Sequence, residues 1–136
     1  MTLKEIMKKD LVFVSPRSSI VEAAWKMKQR NVGCVLIIEE GTLKGMLTDR
    51  DIVLSVVAEG KDPLLVKVNE AMRTEIVSCT PDTEVEEAIR LMAEKRVRRM
   101  PVLEEGKVRG FVSMTDLTSV VGKEIENLFS LRAVAA

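Results

Sequence analysis

The pattern of apolar and polar residues predicts short strands and short helices that occur in the same order twice. In the first half, an extended run at 11–14 precedes a helix from about 19 to 30, where apolar residues recur at helical spacing. A nearly continuous apolar run at 32–38, typical of a strand buried on both faces, leads through a Glu-Glu-Gly turn into a strand at 43–47. A helix from 51 to about 58 completes the order β-α-β-β-α.

The second half repeats the first at an offset of 65 residues without a gap. Identical pairs are spread along the chain: Met7/Met72, Pro16/Pro81, Met27/Met92, Gly45/Gly110 and Asp51/Asp116. Because there are only two copies, and each is longer than most solenoid units, we expect two half-domains sharing one core rather than a repeat array. We predict an α/β fold in which residues 1–62 form the first repeat and residues 63–136 form the second, with a C-terminal helical tail.

Hydroxyl residues are available to cap the predicted helices. Ser18 or Ser19 can cap the first long helix, and Thr83 can cap its counterpart. Thr48 and Asp51 stand at the start of the helix that closes the first repeat, where the N–H groups of the first turn lack helical partners.

The stretch from Gly45 to Asp51 is the most informative part of the repeat. A glycine opens a short apolar run, a hydroxyl residue closes it, and an aspartate follows three residues later; the second copy is Gly110, Ser113 and Asp116. One copy could be a helix cap and nothing more. Two copies in register, inside a repeat that covers the whole chain, favour a role beyond capping. Asp49 and Asp51 could also bind Mg²⁺, although alternate carboxylates at a helix start are more often caps.

Composition narrows the classes of function. Lys+Arg 21 and Asp+Glu 21 give no net charge, so no global field attracts nucleic acid or an anionic membrane. The absence of histidine removes the commonest general base and metal ligand, and we therefore predict no catalytic residues, no metal and no catalytic cofactor. Cys34 and Cys79 are not repeat equivalents and are expected to be unreactive thiols. Without a signal region or a membrane-spanning run, a cytoplasmic location is predicted.

The helix at 51–58 is apolar on nearly all sides, where a surface helix should show one apolar stripe. It could be buried within the monomer, but we prefer a helix–helix contact between two copies, because a half-domain with two helices has few places to bury it. A second stripe in the C-terminal tail could pack within the chain or against a partner subunit: Ile125, Leu128, Phe129 and Leu131.

Together these features resemble the tandem CBS-domain pair, or Bateman module, over essentially the whole chain. The resemblance rests on the element order, on Gly-x-x-Thr-Asp-Arg-Asp at 45–51, on Gly-x-x-Ser-x-x-Asp at 110–116 and on Val-Arg-Arg-Met-Pro-Val at 97–102. It implies two CBS repeats packed with pseudo-two-fold symmetry and dimerised through helices. It also implies a stand-alone, non-catalytic sensor of adenosine compounds, with AMP, ADP and ATP ahead of S-adenosylmethionine and NAD.

The resemblance further implies two ligand clefts, each combining the aspartate motif of one repeat with residues of the other. Aspartate accepts hydrogen bonds from ribose hydroxyls, apolar side chains enclose adenine, and phosphate is favoured at a helix N-terminus and beside arginine. The first cleft would contain Thr48, Arg50, Asp51, Thr80, Val85, Val97, Arg98 and Arg99. The second would contain Ser113, Thr115, Asp116, Ser15, Ile20, Val32 and Gly33.

The two implied clefts differ in charge. The second has Met114-Thr115 where the first has Asp49-Arg50, and Gly33-Cys34 where the first has Arg98-Arg99. We predict that the first cleft binds the nucleotide phosphate. The second cleft would hold an uncharged adenosine moiety, a weaker copy of the ligand, or nothing. The alternative for Arg98 and Arg99 is solvated charge at a strand edge.

Two other functions remain open. The chain could be a dimerisation module without a nucleotide, or a nucleic-acid-binding regulator that uses the basic stretch Arg96–Arg99. If it is a sensor, the signal must leave through a protein effector in trans or through its own oligomer, because the two repeats account for nearly all of the sequence.

Overall fold

The computed structural model describes residues 1–123, which form two compact units. The first unit comprises Asp10–Ile76 and Glu104–Val108, and the second comprises Met1–Lys9, Val77–Leu103 and residues 109–123. The apolar stripe predicted at Ile125, Leu128, Phe129 and Leu131 lies outside the described residues.

The α/β class is confirmed, and in the first repeat the observed elements follow the predicted order β-α-β-β-α. In the second repeat the prediction of a leading strand is wrong, because that segment forms an isolated parallel bridge between Cys79 and Val102 instead of a strand. In chain order they are α1 Leu3–Ile6, β1 Phe13–Val14, α2 Ile20–Arg30, β2 Cys34–Glu39, β3 Thr42–Thr48, α3 Asp49–Ile52 continued by a π-helical turn Val53–Val57, a 3₁₀ turn Val68–Glu70, α4 Val85–Lys95, β4 Arg99–Glu104, β5 Lys107–Ser113 and α5 at 114–123. The strands are neighbours in the order β1-β2-β3 in the first unit and β5-β4 in the second. Strand β1 is parallel to β2, and β2 is antiparallel to β3.

The hairpin turns have the backbone conformation that the Glu-Gly pairs predict. Glu40 and Gly41 have φ of 52° and 78°, and Glu105 and Gly106 have the same values. Two consecutive residues with positive φ form the turn that matches the twist of a hairpin, and glycine is the natural residue at the more strained position. The turns therefore fix the register of each hairpin.

The helix caps agree with the prediction in one repeat and differ in the other. Ser19 caps α2, because its hydroxyl accepts a hydrogen bond from the backbone N–H of Glu22 at 3.2 Å. The prediction that Thr83 caps α4 is wrong. The N-cap position is Glu84, and Thr83 Oγ1 instead accepts from the backbone N–H of Thr80 at 3.2 Å.

Each unit has its own core, which differs from the predicted single core shared by two half-domains, and the two cores use equivalent positions of the repeat. The first core contains Val14, Ile20, Ala23, Met27, Val35, Ile37, Leu47, Val56 and Val68. The second core contains Leu3, Cys79, Val85, Ala88, Met92, Met100, Val102, Val112 and Leu117. The spacing of apolar residues in the sequence therefore predicts nearly the same buried positions in both copies.

Each compact unit includes the short leading segment of the other sequence repeat. These leading segments are residues 1–9 of the first repeat and residues 63–76 of the second. In the second unit, the backbone N–H of Leu3 donates to the carbonyl of Thr83 at 2.9 Å. In the first unit, the N–H of Val68, the repeat equivalent of Leu3, donates to the carbonyl of Ser18 at 2.8 Å. The predicted boundary at residues 62 and 63 describes the sequence repeat, whereas the compact units exchange their leading segments.

Candidate functional site

The leading segments lie directly against the strands that end in the aspartate motif. Arg73 and Met46 exchange two backbone hydrogen bonds, of 2.8 and 3.0 Å, and Lys8 and Phe111 exchange two of 2.9 Å. These contacts bring residue 73 or residue 8 alongside the strand that precedes each aspartate.

The glycine that opens each motif permits this close approach. A Cβ atom at Gly45 would lie 2.6 Å from Met72 Sδ and 2.9 Å from the carbonyl oxygen of Arg73. A Cβ at Gly110 would lie 2.5 Å from Met7 Sδ. No real Cβ contact is so short, so a side chain at either position would force the neighbouring segment to shift.

In the first unit, Thr48 and Asp51 form a reciprocal cap. Thr48 Oγ1 accepts from the backbone N–H of Asp51 at 3.1 Å, and Asp51 Oδ2 accepts from the backbone N–H of Thr48 at 3.0 Å. Arg73 Nε donates to the other carboxylate oxygen, Asp51 Oδ1, at 3.0 Å. The Asp51 side chain is 9% exposed, whereas that of Arg73 is 65% exposed. The carboxylate is therefore held in a fixed orientation by groups on both of its oxygens.

In the second unit, Ser113 and Asp116 form the same cap with a different counter-charge. Ser113 Oγ accepts from the N–H of Asp116, and Asp116 Oδ2 accepts from the N–H of Ser113, both at 3.1 Å. Lys8 Nζ lies 3.5 Å from Asp116 Oδ1. The Asp116 side chain is 22% exposed, so its carboxylate is more open to solvent than that of Asp51.

Each motif also contacts the start of a strand in its own unit. The backbone N–H of Asp49 donates to the carbonyl of Gly33 at 2.9 Å, and the N–H of Met114 donates to the carbonyl of Arg98 at 2.7 Å. The structure thus brings Gly33 to the Thr48 motif and Arg98 to the Ser113 motif. The clefts predicted above combine these residues in the opposite way, across the two units, and that combination stays a prediction.

The remaining predicted site residues fall into two groups. Exposed or half-buried positions are Ser15, Val32, Arg50, Thr80, Val97, Arg99 and Thr115. Ile20 and Val85 are core residues with 0% and 5% exposure, and the structure gives their side chains a packing role.

Two residues of the site were missed from the sequence, namely Lys8 and Arg73. Both are basic, both follow a methionine, and they occupy equivalent positions of the repeat. That shared charge was a usable signal. The sequence alone does not connect this charge with the aspartates, because the exchange of leading segments is not visible in it.

Other side-chain chemistry at the described residues is limited. Cys34 and Cys79 are buried cysteines that form no disulfide with each other, and burial raises the pKa of the Cys79 thiol, which disfavours the reactive thiolate. Within residues 1–123, no three His, Cys, Asp or Glu side chains are grouped closely enough to hold a metal ion. No helix in that range has the length and apolarity needed to cross a membrane.

A duplicated α/β unit with a capped aspartate after its last strand defines a tandem α/β repeat protein. The family comparison agrees with this assignment, because the CBS domain model matches residues 3–58 and 68–123. The chain belongs to the CBS-domain family. The CBS domain-containing protein YhcV of Bacillus subtilis (strain 168) is 44% identical over 116 residues, which cover 85% of this chain and 82% of that protein.

Two solved structures show what similar chains bind or form. The CBS domain pair of protein MJ0100, crystallised with 5′-methylthioadenosine and S-adenosyl-L-methionine, has a TM-score of 0.82 at 25% identity, covering 91% of this chain and 98% of that chain. A hexameric CBS-CP12 protein from bloom-forming cyanobacteria has a TM-score of 0.77 at 29% identity, covering 87% of this chain and 66% of that chain.

Proposed function

We propose that this chain is a regulatory module that binds adenosine nucleotides or their derivatives at the Asp51 and Asp116 motifs. The observation that carries the proposal is the orientation of each carboxylate, fixed by a reciprocal cap. A carboxylate can accept about four hydrogen bonds. At Asp51, the Thr48 N–H and Arg73 Nε supply one to each oxygen, which leaves acceptor capacity for the two hydroxyls of a ribose.

The ligand class is supported by family membership and by the MJ0100 complex, whose two ligands are both adenosine derivatives. Among such compounds we propose AMP, ADP or ATP for the Asp51 site, because Arg50, Arg98 and Arg99 belong to the cleft that the family resemblance implies. At the Asp116 site we propose an uncharged adenosine moiety or a weaker copy of the ligand.

We further propose that the module assembles as a homodimer through its apolar helices. Val53, Leu54 and Val57 in the turn after α3 are 54%, 48% and 62% exposed, although their neighbour Val56 is fully buried. Such a face gains stability when a second copy covers it. A nucleotide would then act on a partner protein or on this oligomer, in the cytoplasm, by binding two conformations with different affinity.

A thermal-shift screen tests the ligand proposal. AMP, ADP, ATP, S-adenosylmethionine, NAD and adenosine are each added to the wild type, Asp51→Ala and Asp116→Ala, and each shift is referred to the variant's own Tm. Ligand at 100 times its Kd should stabilise the wild type by about 2.7 kcal/mol, which is several degrees for a domain of this size. We expect Asp51→Ala to abolish the nucleotide shift and Asp116→Ala to retain most of it.

Other outcomes of the screen contradict defined parts of the proposal. Loss of the shift on Asp116→Ala but not on Asp51→Ala would reverse the assignment of the two sites. No shift with any compound, in a protein that is folded and dimeric, would favour an interaction module without a nucleotide. Strongly salt-dependent binding of DNA or RNA that is lost when Arg96, Arg98 and Arg99 are replaced would favour the nucleic-acid alternative.

A further inference from the structure

We propose that Arg73 selects the charge of the ligand at the Asp51 site, so that this site prefers anionic adenosine compounds to neutral ones. The inference rests on the proposed function, since it assumes that adenosine compounds bind at Asp51. It assigns a role to a residue that lies outside the duplicated Gly-to-Asp motif.

The backbone fixes the position of Arg73. Its N–H and carbonyl both pair with Met46 on β3, at 2.8 and 3.0 Å, and Gly45 leaves the space for this approach. The side chain therefore starts from a backbone position that is paired with β3 next to Asp51.

The guanidinium is bound to the carboxylate at one end and open at the other. Nε donates to Asp51 Oδ1 at 3.0 Å, while the side chain as a whole is 65% exposed. The terminal N–H groups of arginine form a planar fork that matches the oxygens of a phosphate. A ligand whose ribose is held by Asp51 comes close to this fork.

Charge selection follows from what Asp51 would do without its partner. A carboxylate without a counter-ion repels a phosphate group as strongly as it attracts a cation of equal charge at the same distance. Arg73 offsets that repulsion and adds charge-assisted hydrogen bonds to an anionic group. A neutral ligand such as adenosine gains neither effect, so Arg73 changes the ratio of the two affinities.

The repeat supplies a matched comparison. Lys8 occupies the position of Arg73 in the second unit, but its ammonium lies 3.5 Å from Asp116 Oδ1 and is 67% exposed. A flexible point charge lacks the fork geometry of arginine. We therefore expect Lys8 to discriminate between anionic and neutral ligands less than Arg73 does.

The test measures the Kd of AMP and of adenosine by calorimetry for the wild type, Arg73→Gln, Arg73→Lys and the repeat-equivalent variant Lys8→Gln. We expect Arg73→Gln to weaken AMP by about tenfold or more, the loss of one charge-assisted hydrogen bond, and to change adenosine by about twofold or less. Arg73→Lys should recover part of the AMP affinity, and Lys8→Gln should change the ratio of the AMP and adenosine affinities less than Arg73→Gln does.

Two results would overturn the inference, and a third separates it from the proposed function. If Arg73→Gln weakens AMP and adenosine equally, Arg73 supports Asp51 structurally and does not select charge. If neither Kd changes, Arg73 does not act at the ligand at all. If the wild type binds no adenosine compound, the proposed function fails and the inference fails with it, whereas binding with an unchanged ratio overturns only the role of Arg73.

Discussion

The two aspartate motifs share one scaffold and differ in the charged group that faces them. The cap distances are nearly the same, 3.0 and 3.1 Å at Asp51 and 3.1 Å for both bonds at Asp116. The counter-ion is an arginine at 3.0 Å in one unit and a lysine at 3.5 Å in the other, and the carboxylates are 9% and 22% exposed. A duplicated backbone thus leaves binding properties to be set by a few side chains around it.

Truncation of buried residues in the exchanged leading segments should give the largest loss of stability. Leu3 and Val68 are equivalent, fully buried core residues contributed by these segments. We expect Leu3→Ala to lower the free energy of unfolding by about 3 kcal/mol, because it removes buried carbons and leaves a cavity. Val68→Ala removes one carbon fewer and should cost about 2 kcal/mol. Urea denaturation of both variants measures the difference.

Leu65→Ala is the control for these truncations. Leu65 is an exposed leucine in the same chain, and its replacement should change the free energy of unfolding by about 0.5 kcal/mol or less. If Leu3→Ala were no more destabilising than Leu65→Ala, the leading segment would not be part of a core in solution.

The glycines that open the two motifs give the next largest contrast. A Cβ at Gly45 would meet a backbone atom, the carbonyl oxygen of Arg73 at 2.9 Å, as well as the Met72 side chain. At Gly110 the three nearest atoms all belong to the side chain of Met7, which can change its rotamer. We expect Gly45→Ala to cost about 2 kcal/mol and Gly110→Ala about 1 kcal/mol or less. Equal costs in urea denaturation would show that the backbone at Arg73 yields as easily as a methionine side chain.

Much of this scaffold could be predicted from the sequence, because it depends on local patterns. The offset of 65 residues, the Glu-Gly hairpin turns and the continuous apolar run of β2 each correspond to an observed element. The aspartate caps were also predictable, since a hydroxyl three residues before an aspartate at a helix start has a defined geometry. These features need no knowledge of distant contacts.

The exchange of leading segments was not predictable in the same way. The apolar pattern around Leu3 is the same whichever repeat it packs against, and the two cores use equivalent positions of the repeat. The role of Arg73 depends on that exchange, because it meets Asp51 only when its segment lies beside β3. The candidate site was thus predicted at its aspartates and missed at its counter-ions.

The smallest expected effect concerns the counter-ions themselves and needs no ligand. Asp51→Asn keeps the shape of the side chain but replaces the charged partner of Arg73. It should therefore lower the free energy of unfolding by about 1.5 kcal/mol, the value of a hydrogen bond to a charged group. Asp116→Asn should cost about 0.5 kcal/mol, because Asp116 forms its ion pair with a lysine, Lys8, whose side chain is largely exposed to solvent.

Double-mutant cycles with Arg73→Gln and Lys8→Gln separate the ion pair from the cap in each unit, since the cap bond to the backbone is present in every member of the cycle. We expect the coupling energy between Asp51 and Arg73 to be larger than that between Lys8 and Asp116. It should also fall less in 0.5 M NaCl, because the Asp51 carboxylate is shielded from the solvent ions that screen exposed charges. Coupling energies of equal size and equal salt dependence would mean that both counter-ions act as exposed charges. The difference between the two sites would then have to arise from the ligand-facing residues alone.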